Sequence, residues 1–173
     1  MTISIRDFAP ADREHVNRIA LAAFDQYENH YADWATFRAG IGQMADLAEY
    51  ADLIVAERGA IVGAVVHLAP GTPRNAIFPP DWSVIRMLAV DPDHGGQGIG
   101  KALVAAALGR AWQGGAPVVG LHTSPIMRHA LSLYTGIGFE HDMALPALGG
   151  VPYARYVLNR AAIPAALELL RPT

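Results

Sequence analysis

Cysteine is absent from this 173-residue sequence, and lysine occurs once, at position 101. The first absence excludes disulfides, thiolate metal sites and a cysteine nucleophile. A chain of this length buries roughly two thirds of its unfolded surface and needs no covalent staple. No apolar run approaches the ~18 residues of a membrane span. The stretch Thr2–Asp7 lacks the apolar core of a secretory signal, so a cytoplasmic protein away from any membrane is expected. Charged residues make up only 17%, and their balance is slightly acidic, with 13 Lys+Arg against 16 Asp+Glu. That argues against blanket neutralisation of nucleic-acid phosphates. Hydrophobic content of 52% is too high for a disordered chain. The seven histidines do not pair at i, i+4 among clustered carboxylates, so no metal site is expected. Residues 1–173 read as one domain, with 159–173 as a short terminal helix or tail.

What is present is an alternation of helical and strand patterns. Ile3 and Ile5 mark a first strand. Val16, Ile19, Ala20, Ala23 and Phe24 form one helical face, and Trp34, Phe37, Ile41, Met44 and Ala48 a second. A polar loop, Asp25–Asp33, lies between them. Leu53–Ala56 and Ile61–Leu68 flank an Arg58-Gly59 turn and read as a hairpin. The proline-rich Pro70–Pro80 stretch reads as a long loop. Trp82–Val90 is a strand, Gln97–Trp112 a helix, Val118–His122 a strand and Ile126–Ile137 a helix. Phe139–His141 and Tyr153–Leu158 close the sheet, with loop from His141 to Pro152. The order βααβββαβαββ is that of an α/β protein with a mixed sheet flanked by helices.

The most informative segment is Val84 to Leu103. A strand runs into Gly95, Gly96, Gly98 and Gly100, and a helix begins there. Glycine permits positive φ and close approach of a ligand to the main chain. A helix start adds free N–H groups and the positive end of its dipole, which suits an anion such as phosphate. Two nucleotide patterns fail. Gly95 to Lys101 has phosphate-loop spacing, but Ala102 stands where a Mg²⁺-binding hydroxyl is needed. In the dinucleotide pattern the third glycine would fall on Lys101 or Leu103.

The run Leu88-Ala-Val-Asp-Pro…Gly-Gln-Gly-Ile-Gly-Lys-Ala-Leu103 resembles the acyl-CoA-binding motif of the GNAT superfamily of N-acetyltransferases. Gly95 takes the place where that family usually carries Arg or Gln, while Gln97 fits the written pattern in a second register. Ala130-Leu-Ser-Leu-Tyr-Thr-Gly-Ile-Gly-Phe139 resembles the family's other signature. Both motifs occur in order, with one strand between them. The resemblance implies a mostly antiparallel sheet and acetyl-CoA as co-substrate. It places the CoA contacts on Leu88, Ala89, Val90, Gly95, Gly96, Gln97, Gly98, Ile99, Gly100 and Lys101. It makes Tyr134 the general acid that protonates the departing thiolate. Met127 stands where the family often has Asn, so Ser124 or backbone is expected to orient the cofactor. Family members are often dimers, which adds a homodimer to the expectations.

The acceptor implied is a primary amine of a small molecule, amino acid or peptide, attacking the thioester directly. The base is open among His122, Glu28, His30 and a water relay. Arg86, in phase with Val84, Leu88 and Val90, is either a carboxylate anchor or a structural residue serving as ion-pair partner or hydrogen-bond hub. A CoA-binding sensor module without transfer activity is the alternative function.

Overall fold

The structure is a computed structural model and describes Thr2–Thr173. Seven strands form one sheet: β1 (Ser4–Asp7), β2 (Asp52–Arg58), β3 (Ala60–Leu68), β4 (Ser83–Val90), β5 (Val118–Thr123), β6 (Glu140–Leu148) and β7 (Val151–Asn159). Their spatial order is β1-β2-β3-β4-β5-β7-β6. All neighbours are antiparallel except β4 and β5. Among the described residues, five α-helices accompany the sheet: α1 (Arg13–Phe24), α2 (Trp34–Ile41), α3 (Ile99–Gln113), α4 (Arg128–Gly136) and α5 (Ile163–Leu169). The expected order of strands and helices is therefore observed, with α5 following it.

Each sheet face buries its own core. Leu53, Val55, Ala64, Val66 and Val84 meet Val16, Ile19 and Ala20 of α1. Ile54, Val65, Ile85, Val119 and Leu121 meet α3 and α5 on the opposite face. The period of two in the strands and the helical stripes produce this division directly. Gly63 permits the close seating of α3. A Cβ there would stand 2.9 Å from Ile99 Cγ2 and 2.9 Å from Leu103 Cδ1. Trp112, near the end of α3, is 42% exposed, with the Arg160 guanidinium 4.1 Å above its ring.

The sheet forks. β4 and β5 pair in parallel only at Ser83↔Val119 and Val84↔Gly120. Beyond those residues the strands separate, and the β5-facing edge of β4 has no strand partner among the described residues. A buried polar relay ties the closed end together. His67 Nδ1 lies 2.8 Å from Asp52 Oδ2, and its Nε2 lies 3.0 Å from Ser83 Oγ. Burial holds the imidazole below its usual pKa against the opposing pull of Asp52.

Three sequence expectations need correction. The second helical stripe is broken: α2 stops at Ile41, and Met44–Glu49 is a 3₁₀ segment. Gly40 and Gly42 are poor helix formers at that point. The stretch 141–152 holds all of the nine-residue β6 except its first residue, a Gly149-Gly150 turn and the start of β7. Pro146 and weak alternation hide β6, yet an edge strand tolerates proline because one side needs no ladder bond. Finally, β4 contains an extra residue. Val66 pairs with Arg86 and Ala64 with Ala89, so three steps on β4 match two on β3. Met87 absorbs the bulge at φ 54, an unfavourable angle for a residue with a Cβ. Arg86 thus shares a face with Val84 and Met87, whereas Leu88 and Val90 turn to the α3 side.

Candidate active site

The fork opens a cleft of about 360 Å³ between β4 and β5. Phe24, Phe37 and Ile41 form one wall, and Ile85, Leu88, Leu121 and Tyr134 another. Arg86, His122, Thr123, Met127 and Tyr153 complete the polar and mixed lining. Among the described residues, no carboxylate lines this cleft. A second cavity of about 250 Å³ adjoins it across Gly40, Arg86 and Met87 and reaches Asp46, Glu49 and Tyr50.

The glycine-rich turn enters α3 beside the unpaired arm of β4. Its glycines are not equivalent. Gly96 (φ 74) and Gly98 (φ 81) occupy the left-handed region, and Gly98 is the residue preceding the helix. Gly95 has φ −63 and ψ 150, which any residue adopts. A Cβ at Gly98 would meet nothing within 4 Å, so the space over the helix start is open. Ala102 N–H donates to Gly98 O at 3.0 Å and closes the first helical turn. The N–H groups of Ile99, Gly100 and Lys101 precede that closure and suit an anion. A phosphate-bearing cofactor therefore fits here on backbone geometry.

On the opposite wall, Tyr134 is the buried residue of α4. Tyr134 is 5% exposed, whereas Ala130 and Leu133 are only half-buried. Its ring meets Phe139 edge-on at 5.6 Å. Tyr134 is thus part of the core as well as of the cleft lining. Burial raises the phenol pKa, so it keeps its proton throughout the neutral range.

The acceptor-side candidates divide. His122 lines the cleft between Phe78 (5.9 Å) and Tyr153 (5.6 Å). Burial, then the nearby Arg86 charge, push its pKa down to about 4. It is therefore neutral at pH 7, but too weakly basic to compete well for an ammonium proton. Its Nδ1 is buried without a hydrogen-bond partner among the described residues. Glu28 and His30 are exposed on the 3₁₀ segment Asp25–His30 and outside the cleft lining, which corrects their expected role. Ser124 is fully buried, and its Oγ accepts from Ile126 N–H at 3.4 Å, so it is occupied in a local turn. Arg86 is exposed at the cleft and makes no ion pair among the described residues. The ion-pair reading of Arg86 therefore falls away.

Sequence reasoning missed an aromatic roof. Tyr31 stacks on Phe37 at 4.0 Å, and its hydroxyl hydrogen-bonds that of Tyr153. Ala32 N–H donates to Gly149 O at 2.8 Å, joining the segment before α2 to the β6–β7 turn. The one sign of it in the sequence is that Tyr27 and Tyr31 dot the polar loop Asp25–Asp33. Alternation could not pair it with Tyr153, more than a hundred residues later.

Fold and site together define a protein with a forked sheet, an anion-suited helix start on one arm and a buried phenol on the other. The sequence profile of the Acetyltransferase (GNAT) family matches residues 13–139, and the chain belongs to that family. Solved structures share the fold. A GNAT-family acetyltransferase from Staphylococcus aureus is 17% identical with a TM-score of 0.71, covering 92% of this chain and 99% of its own. A histone acetyltransferase HPA2 and related acetyltransferase from Corynebacterium glutamicum is 20% identical with a TM-score of 0.71, covering 91% and 96%. The paia N-acetyltransferase from Thermoplasma acidophilum, solved in complex with coenzyme A, is 17% identical with a TM-score of 0.70, covering 90% and 98%. A search of curated proteins finds no match. Among the described residues there is no cluster of three or more metal-ligating side chains, and no helix is long and apolar enough to cross a membrane.

Proposed function

We propose that this protein transfers an acetyl group from acetyl-CoA to a primary amine whose body is apolar or aromatic and which carries a carboxylate, as an amino acid or peptide does. The single observation that carries the acceptor reading is Arg86. It is the one ionised group at neutral pH among the residues lining an otherwise largely apolar cleft that lacks carboxylates. Such a lining disfavours polycationic amines and leaves the guanidinium free to grip an anion.

The cofactor supplies the activated acetyl thioester. Backbone N–H groups of Gly98–Lys101 would hold its phosphates, and the unpaired edge of Leu88–Val90 would orient its arm along the fork. Hydrogen bonds from that edge would stabilise the oxyanion as the amine attacks. Tyr134, protonated and enclosed, would donate to the departing thiolate. No side chain in the cleft is a competent base at neutral pH, so the ammonium proton would leave through water. The coenzyme A complex of the Thermoplasma acidophilum relative supports the cofactor assignment.

The test is a thiol-release assay over a panel of amines with and without a carboxylate. Arg86→Met is expected to raise KM for the carboxylate-bearing acceptors about 10–100-fold, the worth of a lost charged hydrogen-bond pair. Simple alkyl amines should be nearly unaffected. Equal losses for both classes would remove the anchor role.

A further inference from the structure

The glycine-rich turn is poorly charged for the anion it suits. From Asp91 to Lys101 it carries Asp91 and Asp93 against one cation, Lys101. Gly95 contributes no side chain, although its ordinary backbone angles would allow one. A cation stands next to the turn on another element. Arg58 ends β2, and its Nη1 donates to Oε1 of Gln97, the residue immediately before Gly98. Its Nε is buried without a partner among the described residues. Arg58 forms no ion pair among the described residues. A guanidinium bonded to a neutral carboxamide keeps its full charge and several spare donors. Buried donors are normally satisfied, so the arrangement is short of an acceptor.

This step rests on the acetyl-CoA reading above. We propose that Arg58 is a cofactor-binding residue that grips the pyrophosphate of acetyl-CoA with its guanidinium fork. The assignment to the pyrophosphate follows from Gln97. That residue bonds Arg58 and directly precedes Gly98, the residue before α3, which sets the guanidinium at the turn that opens the helix. The β2–β3 turn thereby supplies the charge that the glycine-rich turn lacks.

The experiment is calorimetric titration of the full chain with CoA and with dephospho-CoA, which keeps the pyrophosphate but lacks the 3′-phosphate. Arg58→Gln should weaken both ligands by about 10–100-fold and to the same extent, with the unliganded melting temperature unchanged. Arg18→Gln removes the same charge from the exposed side of α1, across the sheet from α3, and should stay within about twofold of wild type. Wild-type affinity in Arg58→Gln would overturn the proposal. A loss seen with CoA and absent with dephospho-CoA would also overturn it, by moving the contact to the 3′-phosphate. Absence of CoA binding by the wild-type protein would instead overturn the cofactor reading itself.

Discussion

Replacing Tyr134 by phenylalanine deletes one oxygen from a residue that is 5% exposed and leaves its ring in place. The edge-on contact with Phe139 at 5.6 Å survives, so stability should change by less than about 1 kcal/mol. Affinity for acetyl-CoA should be near wild type, because the phenol is not part of the phosphate-binding turn. The chemical step should suffer. Positioned acid catalysis is worth ~10²–10⁴ in rate, and a thiolate leaving group of pKa ~8–9 needs somewhat less help, so kcat should fall roughly ten- to a thousandfold. Burial adds a further expectation. Because the phenol pKa is raised, the wild-type rate should show no descending limb from Tyr134 ionisation below pH ~10. The assay is thiol release in single turnover, with acetyl donors of graded leaving-group acidity. The loss should shrink as the leaving thiol becomes more acidic. A near wild-type chemical rate with every donor would refute the general-acid role and leave Tyr134 as a packing residue.

Two other perturbations test the frame around the site. His122, with its pKa down to about 4, and His67, also depressed, are held neutral while the unfolded chain protonates them near 6.5. The unfolded state therefore binds more protons between those values, and stability is full above pH 6.5 and falls as pH drops toward 4. Urea midpoints measured across that window should decline, and His122→Phe should flatten part of the slope; an unchanged slope would deny the buried-neutral assignment. Gly63→Ala would place a Cβ 2.9 Å from Ile99 Cγ2 and 3.1 Å from Ala89 O. Those neighbours are buried on both sides, so a cost of about 1–3 kcal/mol is expected, with a higher KM for acetyl-CoA as the start of α3 shifts. Wild-type stability and KM together would show that α3 has room to move.

Local signals carried much of this protein into view. The run from Val84 to Leu103 specifies a strand, a turn and a helix start within one stretch of chain, because glycine placement and helical period act over a few residues. The α4 sequence likewise fixes a helix that carries Tyr134. The order of elements, and hence the two core faces, follows from periods of two and 3.6. Other features depend on strands far apart in sequence. The bulge at Met87 appears only when β4 is laid against β3, and it changes which face Leu88 and Val90 occupy. The fork exists because β5 pairs with β4 only at Val119 and Gly120, while its other edge stays on β7 from Val118 to Thr123. The neutrality of His122 comes from the rings of Phe78 and Tyr153 and the charge of Arg86, brought from three other segments. Arg58 reads as an ordinary turn residue until β2 sets it beside Gln97. A sequence determines what each segment can form, whereas pKa values, unpaired donors and cavities arise from neighbours that only tertiary packing supplies.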